Sequence, residues 1–332
     1  MRRIAIAAAL AAALPCAAGA ALDGVARAQV ETWHSALPGL DGARPAQAVD
    51  LRGQAGIAAE TIARGTVGLR HEAGGTRLRV FELALERPLA GGYATVGKKV
   101  MSWDVGYAFR PLDVVQQEDR RALYPGTLEG VPMLAWEAAD AERAVTVVWS
   151  NPGRGLADQP RDDEALAVRL YRQRGARDEY AVLRVSRRSG IEAGASLSQV
   201  LDEGTEVHAS LLAQARHATW DGMRWREAGG GGKALAGFTW TTESRFSLLG
   251  EAWLDRTAPA AQQGNVLLRA AQKIDDVEIA ADVLRRAAGT VFTVAGSWKN
   301  GAWLVSASWR RYGQIVPGHA ASVGLVTLER AF

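Results

Sequence analysis

The chain has 332 residues, a net charge of +3 and 48% hydrophobic residues, a charge too small for the whole chain to hold a nucleic acid by bulk electrostatics. No run of about 20 apolar residues follows the N-terminal segment, which excludes a helical membrane span. The single cysteine, Cys16, lies in that segment, so the remainder carries no disulfide and no thiol chemistry.

The first residues, MRRIAIAAALAAALPCAAGA, read as an export signal over 1–20. Arg2 and Arg3 form the basic start, Ile4 to Leu14 the apolar stretch, and Ala18-Gly19-Ala20 a small-residue cleavage site. Residues 21–64 are rich in Ala and Gly and poor in strand formers. They are expected to form an N-terminal periplasmic or irregular segment: a disordered start, a short amphipathic helix around Val25 to Leu37, or an irregular first strand.

From Gly65 the texture changes, and 65–332 is expected to be one barrel domain. Gly65 to Glu72 and Thr76 to Glu86 pair across the turn Ala73-Gly74-Gly75. Thr95 to Phe109 reads as one long strand, ended by Arg110-Pro111, because proline cannot donate to the ladder. From Val131 a unit of about ten strand residues and a turn repeats to the C-terminus. Thirteen such strands follow, from Val131–Ala138 to Ser322–Phe332. Strands of roughly 9 to 11 residues suit a tilted crossing of a bilayer.

Alternation decides what kind of sheet this is, since successive side chains point to opposite faces. In Thr205–His217, Val207, Ala209, Leu211 and Ala213 share one face, while Glu206, His208, Ser210 and Gln214 share the other. In Val277–Arg286, Val277, Ile279, Ala281 and Val283 oppose Glu278, Asp282 and Arg286. The apolar faces are thin, with many Ala and Gly. Lipid tolerates such a face, whereas a packed interior needs volume. Trp220, Trp225, Trp298, Trp303 and Tyr312 sit near strand ends, as an interfacial girdle would. Tight turns at Asp202-Glu203-Gly204, Asp275-Asp276 and Lys299-Asn300-Gly301 alternate with longer connections at 220–232, 256–264 and 313–321. The fold expected is all-β, a single antiparallel transmembrane β-barrel of about 14–16 strands.

The export signal, the strand series and the terminal Phe332 together resemble bacterial outer-membrane β-barrels. The final strand, SVGLVTLERAF, carries Val326 and Leu328 on the face of Phe332. Arg330 departs from the pattern, because an apolar or aromatic residue is more usual there. Residues 97–113, GKKVMSWDVGYAFRPLD, resemble a strand of porin-like proteins near the alginate-export type. The resemblance implies an outer-membrane, porin-like channel for small polar or anionic solutes, in contact with lipid and lipopolysaccharide. It implies that Phe332 signals to the barrel-assembly machinery, and it brings no catalytic residue and no cofactor.

The densest mixture of charges is Lys98, Lys99, Asp104, Arg110, Asp113, Glu118, Asp119, Arg120 and Arg121. Folded inward it would form a constriction with a transverse field; left outside it would be a solvated loop with local ion pairs. A second arginine set, including Arg169, Arg184, Arg285, Arg286 and Arg310, would favour anions on the lumen face or meet lipopolysaccharide phosphates near strand ends. Lumen-facing Glu251, Glu278 and Asp282 could pair with these arginines and close the barrel, which is the alternative reading: a plugged barrel with a structural, assembly or surface-interaction role. An enzyme is not expected. The pair His208 and Ser210 could form a base and nucleophile, but His208 falls on the lumen face, away from a lipid substrate. His34, His71, His217 and His319 have no metal-ligand spacing.

Overall fold

A computed structural model describes residues 21–332, apart from 36, 59, 119, 124–125, 154–162, 221–222, 224 and 314–319. The expected export signal and Asp119 lie outside the described residues, as do the side chains of Trp220 and Trp225.

The chain is a meander of strands: β1 (Ala21–His34), β2 (Gly42–Ala58), β3 (Thr61–Glu72), β4 (Gly75–Leu89), β5 (Gly92–Lys99), β6 (Val131–Ala139), β7 (Arg143–Ser150), β8 (Ala165–Arg174), β9 (Arg177–Ser186), β10 (Gly190–Val200) and β11 (Thr205–Gln214). A small hairpin, β12 (His217–Trp220) and β13 (Trp225–Ala228), interrupts the series. It then resumes as β14 (Gly231–Thr241), β15 (Phe246–Asp255), β16 (Gly264–Ile274), β17 (Val277–Arg286), β18 (Gly289–Asn300), β19 (Trp303–Tyr312) and β20 (Ser322–Ala331). Among the described residues, β1–β11 and β14–β20 make one antiparallel sheet of 18 strands. It closes because β1 pairs with both β2 and β20. Every barrel edge is thereby consumed, the condition for an all-β chain to sit in lipid.

Two expectations change. The barrel has 18 strands, not 14–16, because residues 21–64 supply β1, β2 and the start of β3. The Ala/Gly texture that hid these strands is the texture of their outward faces: Gly24, Ala26 and Ala28 stand opposite Leu51, Val49 and Gln47. The second change concerns Thr95–Phe109. Strand β5 stops at Lys99 and the chain leaves the wall at Val100.

The amphipathicity is inverted relative to a soluble protein. Leu211 is 63% exposed and Ile279 56%, whereas Ser210 is 1% and Glu251 2% exposed. The turns sort by end. Connections 59–60, 90–91, 140–142, 175–176, 201–204, 242–245, 275–276 and 301–302 lie at one end and are all short. The longer connections lie at the other end, and 100–130 is the longest of them. Trp298 and Trp303 face outward near the short-turn end, but Tyr312 packs inside against the cluster of Leu249, Leu267, Leu284 and Val291. The seam between β1 and β20 ends on reciprocal backbone bonds: Gly24 N–H to Phe332 O and Phe332 N–H to Gly24 O, both 2.9 Å. Val326, Leu328 and Phe332 all face outward. Arg330, the unusual residue of the last strand, stacks on Trp303 with its guanidinium carbon 5.2 Å from the ring centre.

Candidate functional site: the segment folded into the barrel

Residues 100–130 turn into the lumen. The departure begins at Gly97, whose φ of 132° is open to glycine and strained for other residues. The first two amides off the wall find carboxylate or amide partners in place of a ladder: Val100 N–H donates to Glu82 Oε1 at 2.9 Å and Met101 N–H to Gln116 Oε1 at 2.8 Å. The bases of the two limbs are tied together, since Gln116 Nε2 also donates to Glu129 O at 3.1 Å.

The first limb, 102–113, folds around the Asp113 carboxylate. It accepts the backbone N–H of Trp103 at 2.6 Å and of Asp104 at 3.1 Å, plus the Ser102 hydroxyl. Arg110 completes the turn, with Nε 3.3 Å from Asp113 Oδ2 and a bond from its guanidinium to Asp104 O. Burial pushes the Asp113 carboxyl up, and Arg110 with the two amides pulls it back. Burial pushes the Arg110 guanidinium down; Asp113, Asp104 and Glu118 oppose that, while Arg120 adds to it. Arg110 on the first limb therefore lies within electrostatic reach of Glu118 and Arg120 on the second.

Apolar and polar contacts hold this limb to the wall. Trp103 and Leu112 are buried among Met133, Val148, Ala167, Val182 and Leu212, all on lumen faces of β6–β11. Arg169 caps the cluster, 5.8 Å over the Trp103 ring and 6.0 Å over Tyr180. Asp104 Oδ1 accepts the Ser210 hydroxyl from β11 at 2.5 Å, while its Oδ2 accepts the N–H of Leu112 at 2.6 Å. Glu251 of β15 accepts the N–H of Tyr107 at 2.5 Å and of Ala108 at 2.8 Å, with His208 Nε2 3.0 Å away. Phe109 stacks on Trp253 at 5.7 Å.

The described residues of the second limb, 117–128, reach the wall on both sides of the β1–β20 seam. Arg121 pairs with Asp282 of β17 at 3.2 Å, and Arg310 of β19 donates to Arg121 O at 2.5 Å. Thr127 donates to Asp50 of β2 at 2.5 Å. Glu118 and Arg120 pair with each other at 2.9 Å.

The segment thus brings together Asp104, Arg110, Asp113, Glu118, Arg120 and Arg121 with the wall residues Glu251 and Asp282. Lys99 stays on the wall and pairs with Glu86 at 2.6 Å, beside Arg64. Arg184 lies in the lumen bonded to Glu192 and does not touch the segment. Glu278 is half-exposed and 3.9 Å from Arg269, which bridges towards Asp282. Phe332 is at the seam, far from the site in the chain's topology. Sequence reading places Trp103 on the wall and does not single out Asp50, Gln116, Thr127 or Arg269. His208 and Ser210 bond different carboxylates, so they do not form a base and nucleophile couple. Among the described residues no three His, Cys, Asp or Glu side chains gather as a metal-ligand set.

No protein-family model matches the chain, and no curated protein matches it. Solved structures do. An Acinetobacter baumannii OccAB3 crystal structure aligns with TM-score 0.68 at 9% identity, covering 95% of this chain and all of that one. Two engineered mutants of the Rhodopseudomonas blastica porin each align with TM-score 0.54 at 12% identity, covering 94% of this chain and all of their own. At these identities the likeness is one of fold: this chain is a closed porin-like β-barrel.

Proposed function

We propose that this protein is a passive channel of the bacterial outer membrane for small polar solutes, with residues 100–130 as its constriction. The observation that carries the reading is a single segment anchored to several sides of a wide ring, by its first limb to β6–β11 and β15–β18 and by its second to β17, β19 and β2. Eighteen strands spaced about 4.8 Å apart and tilted about 40° give a backbone diameter of roughly 35 Å. One irregular segment narrows such a ring without filling it. The lumen charges also support a polar path. Arg27 pairs with Asp50 and Glu329, Arg184 with Glu192, and Arg269 with Asp282. Paired charges leave little bulk preference for anions, so the constriction is proposed to sort solutes by size and dipole. Export by residues 1–20, contact with lipopolysaccharide and recognition of Phe332 by the assembly machinery belong to the same proposal.

The plugged barrel is the competing reading, favoured by the electrostatic contact between Arg110 on one limb and Glu118 and Arg120 on the other. Reconstitution into planar bilayers separates the two. The channel reading expects stepwise conductance that rises when residues 103–121 are replaced by a short linker. A barrel that stays silent in both forms would sink it.

A further inference from the structure

Many lumen charges among the described residues are paired, but a cluster on β3 and β4 is largely not. Strands β3 and β4 carry Arg70, Arg77 and Arg79. Arg70 stands directly opposite Arg77, and Arg79 stands opposite Gly68. Gly68 is also opposite Asp50, which bonds Arg27 and Thr127 in the lumen, so all three arginines are on the lumen face. Like charges directly opposite each other destabilise a sheet. Arg70 has one counter-charge, Glu72 at 3.6 Å. Arg77 and Arg79 are exposed, and neither has a hydrogen-bond or ion-pair partner among the described residues. The nearby Asp50 carboxylate already takes Arg27 and Thr127.

The setting of these arginines is as unusual as their charge. The last rung between β4 and β5 is Leu83 with Lys98. Beyond it Phe81 O accepts one bond from Gly130 N–H and Val80 O one from Lys98 Nζ, and from Arg79 to Gly75 β4 continues beside β3 alone. The hairpin therefore rises about 20 Å past its neighbour on that side, towards the end that carries the long connections. Three guanidiniums line its inner face at the mouth.

We propose that Arg70, Arg77 and Arg79 form a capture site for a soluble tetrahedral oxyanion, a phosphate group carried by a small solute. Guanidiniums bind phosphate with paired, charge-assisted hydrogen bonds, and a bound dianion would relieve the repulsion between Arg70 and Arg77. The inner-face position, turned away from lipid, selects a soluble phosphate over a lipid headgroup. The proposal deepens the channel reading by assigning a first station for solute, but binding at the site does not require conduction.

The test is calorimetric titration of inorganic phosphate into the folded barrel in lipopolysaccharide-free detergent at low ionic strength. The Arg77→Gln/Arg79→Gln variant, with folding checked by heat-modifiable gel mobility, is expected to bind about tenfold more weakly or worse. Glu72→Gln removes the one competing carboxylate and is expected to tighten binding severalfold, an arm that survives if the double variant does not fold. If the arginines only guard the open edge of β4 against strand addition, phosphate affinity will not change in either variant, and the proposal is overturned. A barrel that binds phosphate but never conducts would refute the channel and leave the capture site standing.

Discussion

Glu251 is the most informative single position for the inserted segment. Its side chain is fully buried, and it accepts two backbone N–H groups from the first limb while His208 Nε2 sits 3.0 Å away. Glu251→Ala leaves both limb amides without an acceptor at the centre of the barrel. Hydrogen bonds to a charged acceptor are worth about 1.5–3 kcal/mol each, so the limb loses roughly 3–6 kcal/mol of anchoring. A tenfold change in an equilibrium corresponds to about 1.4 kcal/mol, and the detached population of residues 105–110 should rise by a hundredfold or more. The wall should not notice, because the strand ladders on either side of β15 are untouched. The expected result in planar bilayers is larger and noisier conductance, with new protease cleavage near Tyr107 and unchanged heat-modifiable mobility. Glu251→Gln keeps one acceptor oxygen and should fall between the two. Unchanged conductance and unchanged cleavage in Glu251→Ala would refute the claim that this carboxylate holds the limb.

Three further outcomes follow from the same geometry. Trp103→Ala empties a buried ring site beside Met133, Val148 and Val182 and should cost about 3–5 kcal/mol of limb stability, read as protease sensitivity of 102–113 without loss of the barrel. Leu268→Arg puts a charge on the outward face of β16, where Leu268 is half-exposed beside Gly250 and Val283. It should destabilise folding into liposomes by roughly 2–4 kcal/mol, whereas Ser297→Arg on the lumen face, opposite Glu278, should cost far less; equal costs would mean the faces are misassigned. Gly97→Val, at a φ of 132° with the Leu83 backbone against the position of its Cβ, should lower the folded fraction, which heat-modifiable mobility after refolding reads directly.

The barrel was legible because its rule is local. Period-two alternation is written into each strand, and most of the wall strands carry it in a form that can be read from neighbouring residues. The two that do not, β1 and β2, fail for a physical reason. Their outward residues include Gly24, Ala26, Ala28 and Gly53, which alternate with charged residues such as Arg27 and Asp50 but supply too little bulk to announce a lipid-facing strand. What marks them as strands is closure, the pairing of β1 with β20 some 300 positions away in the chain, and no window on the sequence contains both partners.

The inserted segment was half-legible, and the illegible half is instructive. Its mixture of charges was visible, but its direction was not, since a solvated loop and an inward fold use the same residues. MSWDVGYAF also reads as strand, because Val, Trp, Tyr and Phe favour extended backbone wherever they end up. The signal that does decide direction lies in the wall. Val182 falls between Tyr180 and Arg184 on the lumen face of β9, and Leu212 falls between Ser210 and Gln214 on that of β11. A polar water-lined face has no reason to carry Val182, Leu212, Met133 and Val148 together. Those four residues mark a dry patch on a wet wall, and a dry patch in the lumen calls for a cover. Trp103 and Leu112 are that cover, drawn from the longest connection. Read that way, the break in alternation on β6–β11 points to an inward fold before any tertiary contact is known, and replacing Val182 and Leu212 with Ser should release the first limb as surely as removing Glu251.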